Sequence, residues 1–232
     1  MAAPLSLISV VDVETTGFPP DAAMVEIGRT NVRLFPEGWQ VEGEPVSRFV
    51  KPGRPIPPAA SAIHHIIDED VVDGMSADEA IQFATAGADF LCAHNVEFDS
   101  QFVRQSKLPW VCTLKGARHA WPELESHANM AIRYARRLCL AREHRVGAHR
   151  AGADTLVTAH ILVDLLNEID VEKLIDISRR PSLLLRMPFG KHKGARFSEL
   201  PWDYLQWIVG KSDLNDDIKA TARSELAKRG RS

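Results

Sequence analysis

The 232-residue sequence is poor in cysteine and tyrosine, with three and two, and it has no unbroken apolar run of the length a membrane span needs, about 18 residues. Cys92, Cys112 and Cys139 are an odd number without metal-type spacing, which argues against a disulfide framework and points to buried thiols in a reducing cytoplasm. The opening Met1-Ala-Ala-Pro-Leu-Ser has no basic segment of the kind that begins a signal peptide. A cytoplasmic location with no membrane partner is therefore expected. Excess positive charge is also missing. The 28 Lys and Arg against 31 Asp and Glu leave a net charge of −3, so the molecule as a whole is not a basic nucleic-acid binder. Internal repeats and low-complexity tracts are absent as well, which removes solenoids and fibrous classes.

What is present is the composition of an ordinary globular protein, 45% hydrophobic and 25% charged, at a length that fits one α/β domain with a small appendage. The stretch Leu5 to Val13 is apolar and rich in β-branched residues, is interrupted by Asp12 and Glu14, and stops at Thr15-Thr16-Gly17. It predicts a buried strand. Side chains alternate along a strand, so Asp12 and Glu14 share one face. Two desolvated carboxylates side by side repel and call for a cation, and hard divalent ions such as Mg²⁺ prefer oxygen ligands. Taken alone, the pair reads more readily as a strand end where Asp and Glu reach solvent or cap a turn.

Further strands are predicted over Met24–Phe35, Val41–Val50, Ala88–Ala93 and Leu108–Thr113. Helices are predicted after a Ser76 or Asp78 cap to about Ala86, from an Asn95 N-cap to about Lys107, over Asn129–Leu140, and over Gly152–Ile169. Three strands followed by strand–helix alternation describe a mixed sheet with helices on its faces. Two clusters sit where such elements begin. His94-Asn95-x-x-Phe98-Asp99 opens one helix, where the dipole favours a carboxylate in the first turn, though simple capping would leave the same pattern. His149-Arg150-Ala151-Gly152-Ala153-Asp154 opens another, and His149 can converge with Asp154 only from a loop before the helix. Six arginines lie between Arg133 and Arg150, opposed only by Glu143, a patch that reads either as a phosphate-binding surface or as a solvated helix face.

Together, D-x-E-T-T-G at Asp12–Gly17, H-N-x-x-F-D at His94–Asp99 and H-x-x-x-x-D at His149–Asp154 resemble the DEDDh family of 3′→5′ exonucleases. Outside these motifs, Ile63-His64-His65-Ile66, Trp110–Lys115, Arg180–Leu183 and Phe189–Gly194 are similar to the exodeoxyribonuclease X branch of that family, over nearly the whole chain. The resemblance implies a ribonuclease H-like α/β fold, a mixed five-stranded sheet flanked by helices. It places an exonuclease domain at residues 1–170, a linker at 171–181 and a small hairpin–helix domain at 182–232.

It further implies two Mg²⁺ ions, with Mn²⁺ able to substitute, held by Asp12, Glu14, Asp99 and Asp154, with His149 as general base. Thr15, Thr16, Gly17, Phe18, His64, His94 and Asn95 would bind substrate, and the partner would be DNA, at single-stranded 3′ ends or in duplex. The implied activity is removal of nucleoside 5′-monophosphates from DNA 3′ ends, in repair. A proofreading or RNA-trimming member of the same group, and an inactive nucleic-acid-binding protein, are the alternatives. In the last 50 residues, Lys191, His192, Lys193 and Arg196 form a basic turn. Trp202, Tyr204 and Trp207 lie on a helix where such rings are expected to be core.

Overall fold

The computed structural model describes residues 6–104, 106–138, 140, 150–210 and 213–230. Its centre is β1 (Leu7–Thr15), third in a five-stranded sheet of order β3-β2-β1-β4-β5. β2 (Met24–Phe35) pairs antiparallel with β1, and β3 (Gly38–Phe49) antiparallel with β2. β4 (Phe90–Ala93) and β5 (Trp110–Cys112) continue the sheet in parallel, making it mixed as expected.

The period of two along β1 divides the interior into two cores. Ile8 and Val10 pack on one face with α6 (Ala151–Leu166), whereas Val11 and Val13 pack on the other with α2 (Ala77–Thr85). Ser9, on the α2 side, donates to the Ala84 carbonyl at 2.6 Å. Asp12 and Glu14 therefore extend the Ile8–Val10 row and face α6. β4 pairs with β1 only through Ile8–Val10, so the end of β1 outruns its parallel neighbour and leaves the two carboxylates on an open ledge.

The contact between α6 and the sheet depends on glycine. A Cβ on Gly28 of β2 would lie 2.3 Å from the Ala151 backbone, and one on Gly152 would lie 3.3 Å from Ser47. Only hydrogen at these positions lets the start of α6 sit directly on the strands.

Several elements depart from the sequence reading. α1 spans Pro58–His64, and α2, with the Ser76–Glu79 capping box, is where it was expected. α3 (Val96–Asp99) is a single turn rather than a helix to Lys107. Its continuation stops because the Gln101 side-chain amide takes the Glu97 carbonyl at 2.7 Å, and the Gln101 N–H turns to Phe98 instead. Asn95 holds the N-cap position without a side-chain cap bond. α4 (Thr113–Ala120) follows β5 directly and was not anticipated. α5 (Asn129–Ala135) is shorter than expected, ending before Arg137, which has a φ of 55°.

The stretch expected as a linker, 171–181, instead carries α7 (Val171–Ser178). Val171, Leu174 and Ile175, at helical spacing, bury it in the α6 core, and Asp170 caps it through the Lys173 N–H at 2.8 Å. After it, α8 (Trp202–Gly210) and the unanticipated α9 (Asp216–Arg229) enclose a third small core of Met187, Phe197, Leu200, Leu205, Ile208, Ile218 and Ala222. Asp217 joins this unit to the main body, pairing with Arg118 at 2.7 Å and accepting the Ser182 N–H at 2.8 Å. Cys92 and Cys112 are buried free thiols, and among the described residues no helix is long and apolar enough to cross a membrane.

Candidate active site

Carboxylates from three elements meet beyond the end of the β1–β4 pairing. Asp12 and Glu14 come from β1, and Asp154 comes from the first turn of α6, whose glycine-dependent seat holds it over the strand. Ligand oxygens of these three lie within 4.8 Å of one another. Asp99, at the end of α3, is 3% exposed. Its buried Oδ1 has no hydrogen-bond partner. His149 lies outside the described residues.

The cluster is electrostatically strained. Burial, then Asp154 and Glu26, push the Glu14 carboxyl up to about 7, with Arg150 pulling the other way. Burial pushes Asp99 up to about 7 as well. Asp12 is raised well above the usual carboxylate range by burial first, then by Asp99, Asp154 and Glu14. Each shift states that the ionised form lacks compensation inside the protein. An oxygen-only donor set with an unpartnered buried carboxylate oxygen fits a hard divalent cation.

The nearest guanidinium does not neutralise this cluster. Arg150 grips Glu26 in a fork, at 2.7 Å from Nη2 and 3.2 Å from Nε, and Glu26 also accepts the Ala151 N–H at 2.9 Å. Glu26 is 1% exposed and stands opposite Glu14 in the β1–β2 ladder. A buried Glu on β2 thus fastens the N-terminus of α6, and with it Asp154 and the residue that follows His149. Sequence reasoning missed Glu26 and Gly28. The signal was available: a carboxylate in a β-branched run, two residues before a strand glycine, is costly without a distant cation.

The other predicted residues divide into two groups. Thr15 and Thr16 are buried and shape the turn, with Thr15 Oγ1 donating to the Gly17 carbonyl at 2.7 Å and Thr16 Oγ1 accepting the Ala23 N–H at 3.0 Å. Gly17 has a φ of +148°, which favours glycine. Phe18 beyond it is 86% exposed and touches Phe98 only edge-on, at a centroid distance of 6.1 Å. His64 is buried. Its Nδ1 accepts the Ile66 N–H at 3.1 Å, and its Nε2 lacks a hydrogen-bond partner. Burial lowers its pKa.

His94 is different, because both ring nitrogens are occupied, by Thr113 Oγ1 at 2.9 Å and by the His127 carbonyl at 3.0 Å. The carbonyl requires a donor, so Nε2 carries the proton and Nδ1 accepts from Thr113. Burial pushes His94 down to about 4, and the ring is a neutral strut between β4, α4 and the 121–128 segment. Asn95 beside it is exposed.

The arginine-rich stretch is mostly committed to structure. Arg133 is buried, and Arg136 pairs with Asp164 at 2.8 Å and lies over the Trp121 ring at 4.2 Å. Arg150 holds Glu26, Arg137 is exposed, and Arg142 and Arg145 lie outside the described residues.

Residues 9–162 match the family model described as Exonuclease. The chain belongs to the exonuclease family. The matched span contains every carboxylate of the cluster, so the family's region and the strained site coincide. A second model, described as "Putative quorum-sensing-regulated virulence factor", matches residues 171–212.

Among curated exonuclease relatives, Exodeoxyribonuclease 10 of Escherichia coli strain K12 is 31% identical over 229 residues, covering 95% of this chain and 99% of that protein. DNA polymerase III subunit epsilon of Aquifex aeolicus is 29% identical and covers 69% of this chain and 80% of its own. Among solved structures, Exonuclease X in complex with 5′ overhanging duplex DNA is 32% identical, with a TM-score of 0.64, covering 74% of this chain and 99% of that one. The ribonuclease H-like α/β architecture is the one these relatives share.

Proposed function

We propose that this exonuclease is a divalent-metal-dependent 3′→5′ exodeoxyribonuclease that releases nucleoside 5′-monophosphates and serves DNA repair in the cytoplasm. The observation that carries the reading is the carboxylate cluster: oxygens of Asp12, Glu14 and Asp154 within 4.8 Å, beside an Asp99 oxygen with no partner. In the absence of cations, four acidic groups would repel the phosphate that a nuclease must bind. Similarity over almost the full length of an exodeoxyribonuclease supports DNA as the substrate.

Asp12, Glu14, Asp99 and Asp154 would hold two Mg²⁺ or Mn²⁺ ions, which supply charge neutralisation of the phosphoryl group and lower the pKa of the attacking water. His149 would accept the proton of that water, a role for which an imidazole is suited near neutral pH. Thr15, Thr16 and Gly17 form the turn that would receive the terminal nucleotide. The exposed Phe18 ring would stack on its base without reading identity. His64, with its unpartnered Nε2, would donate to or accept from the strand near the turn. Asn95 would touch the backbone, and His94 would act by holding the β4 end in place. Glu26 and Arg150 would position Asp154 and His149.

The test is degradation of 3′-labelled and 5′-labelled single-stranded DNA, duplex DNA and RNA across a Mg²⁺ and Mn²⁺ titration. Mononucleotides released from DNA 3′ ends only with metal are expected. Cleavage confined to RNA would replace the reading with RNA trimming, and no cleavage with either metal would remove the enzyme.

A further inference from the structure

The small unit after α7 exposes aromatic rings and cations close to one another. Its core takes Leu205 and Ile208 from α8. Tyr204, partly buried against that core, stacks on Trp207 at 5.4 Å with an 18° interplanar angle, and His192 lies 4.4 Å from Tyr204, making a continuous row of three rings. Trp207 is 49% exposed, and Phe189 and Trp202 are exposed as well, so of the three rings expected to be core only Tyr204 packs against it.

His192 belongs to a tight knuckle closed by the Arg186–Arg196 bridge and by the Gly194 N–H donating to the Met187 carbonyl at 2.8 Å. Residues 186–196 contain Arg186, Lys191, Lys193 and Arg196 and no carboxylate. Arg196 lies 3.9 Å from Glu123, and Arg186 donates to the Gly194 carbonyl. Lys191 and Lys193 are exposed and have no ion pair among the described residues. Asp203, the acidic residue of the α8 start, precedes Tyr204 by one position and so points about 100° away.

A cavity of about 850 Å³ lies between the segment that leads into Asp99 and the base of this knuckle. His94 and Asn95, which lead into Asp99, line one part, Lys115 and Arg118 line the wall, and Arg186 and Pro188 line the knuckle side. Of the four wall carboxylates, Glu97, Asp217 and Glu225 pair with Lys115, Arg118 and Lys228, at 3.2, 2.7 and 2.6 Å, and Glu125 is the fourth.

We propose that the knuckle and the His192–Tyr204–Trp207 row form a second binding surface for single-stranded DNA, holding the strand whose 3′ end enters the carboxylate site. The choice of DNA rests on the exonuclease reading above. Stacked rings accept any base, and unpaired lysines beside them accept the phosphates between bases, which is the combination that binds single strands without sequence preference. The surface lies outside the span of the exonuclease family model, so it would add length dependence to an active site that suffices for the chemistry.

The experiment uses the full chain and two substrates, dT30 and dT3, with affinity read by tryptophan fluorescence and turnover read as kcat/KM. Lys191→Glu/Lys193→Glu changes only exposed side chains, and Trp207→Ala removes a ring. For both variants the preference in kcat/KM for dT30 over dT3 should fall about tenfold. The lysine variant should also flatten the slope of log affinity against log salt by about 1.4, two single-strand phosphate contacts. An unchanged length preference and salt slope in a lysine variant with wild-type melting temperature would overturn the surface. If the wild-type protein hydrolysed neither oligonucleotide, the exonuclease reading would fail. Weakened dT30 binding in the lysine variant would still support the surface, and unchanged binding would overturn it.

Discussion

At the end of β1, carboxylates are withdrawn from water beside one another. On α8 and the knuckle, rings and lysines are left in water beside one another. Both arrangements oppose what folding alone favours, since buried charges repel and exposed tryptophans forgo burial. In the main cores the chain follows the ordinary rule: Arg136 pairs with Asp164, and buried leucines fill the interior, while Ile63, Val72, Tyr134 and Leu183 are apolar side chains left exposed singly. The two exceptions therefore mark where this protein meets something outside itself. The first is short of positive charge and suits cations. The second is short of negative charge and suits a polyanion.

The strongest way to break the comparison is Asp12→Asn. Turnover should fall by several orders of magnitude while the metal-free protein melts higher, because one member of the repelling set is neutral. A melting temperature that drops instead would mean the cluster is not strained. His149→Ala should lower kcat by about 10² or more with DNA affinity kept, measured by single-turnover kinetics beside a binding titration. Near-normal turnover would remove His149 from the chemistry.

Gly28→Ala tests whether the site depends on the seat of α6. The added methyl meets the Ala151 backbone, so a loss of about 1–3 kcal/mol in stability is expected, with a fall in kcat as Asp154 shifts. Denaturant melts and steady-state rates check it. In the C-terminal unit, Leu205→Ala should cost about 2–5 kcal/mol of that unit's stability, as a core residue does. Trp207→Ala should cost within about 0.5 kcal/mol, as a surface change does. Equal costs would make Trp207 part of the core.

The smallest effect is a pH dependence. Glu14 and Asp99 ionise near 7 in the folded protein and have ordinary values of 4.5 and 3.8. Between those limits the folded state holds more protons than the unfolded one. Their contribution to metal-free stability is therefore lost as pH rises from about 4 to about 7. Mg²⁺ should raise the melting temperature more at pH 8 than at pH 5, as scanning calorimetry would show.

Much of the carboxylate site was legible in residue order. A strand's period of two puts Asp12 and Glu14 on one face whatever surrounds them, and a loop-then-helix start puts Asp154 in a first turn. The motifs around His94 and His149 carried the family in the same local way. The helix over 96–107 was misread because a side-chain amide, Gln101, competes for a backbone carbonyl, which periodicity does not register. The supposed linker hid α7 because its apolar spacing is short, and the core that receives it lies far away in sequence.

By itself, then, the sequence determined the strand that carries the first two carboxylates, the succession of the five strands and the family. Only the tertiary structure decided which charges are left over. Glu26 and Arg150 are 124 positions apart, and their pairing depends on α6 reaching β2 across two glycines. Among the described residues, once Arg150 is forked onto Glu26 and Arg136 onto Asp164, the carboxylates at β1 keep raised pKa values, with Arg150 offsetting the rise only in part. The free lysines lie on the knuckle instead. Such an allocation is set by three-dimensional proximity, because Coulomb energy falls with distance in space and takes no account of separation along the chain.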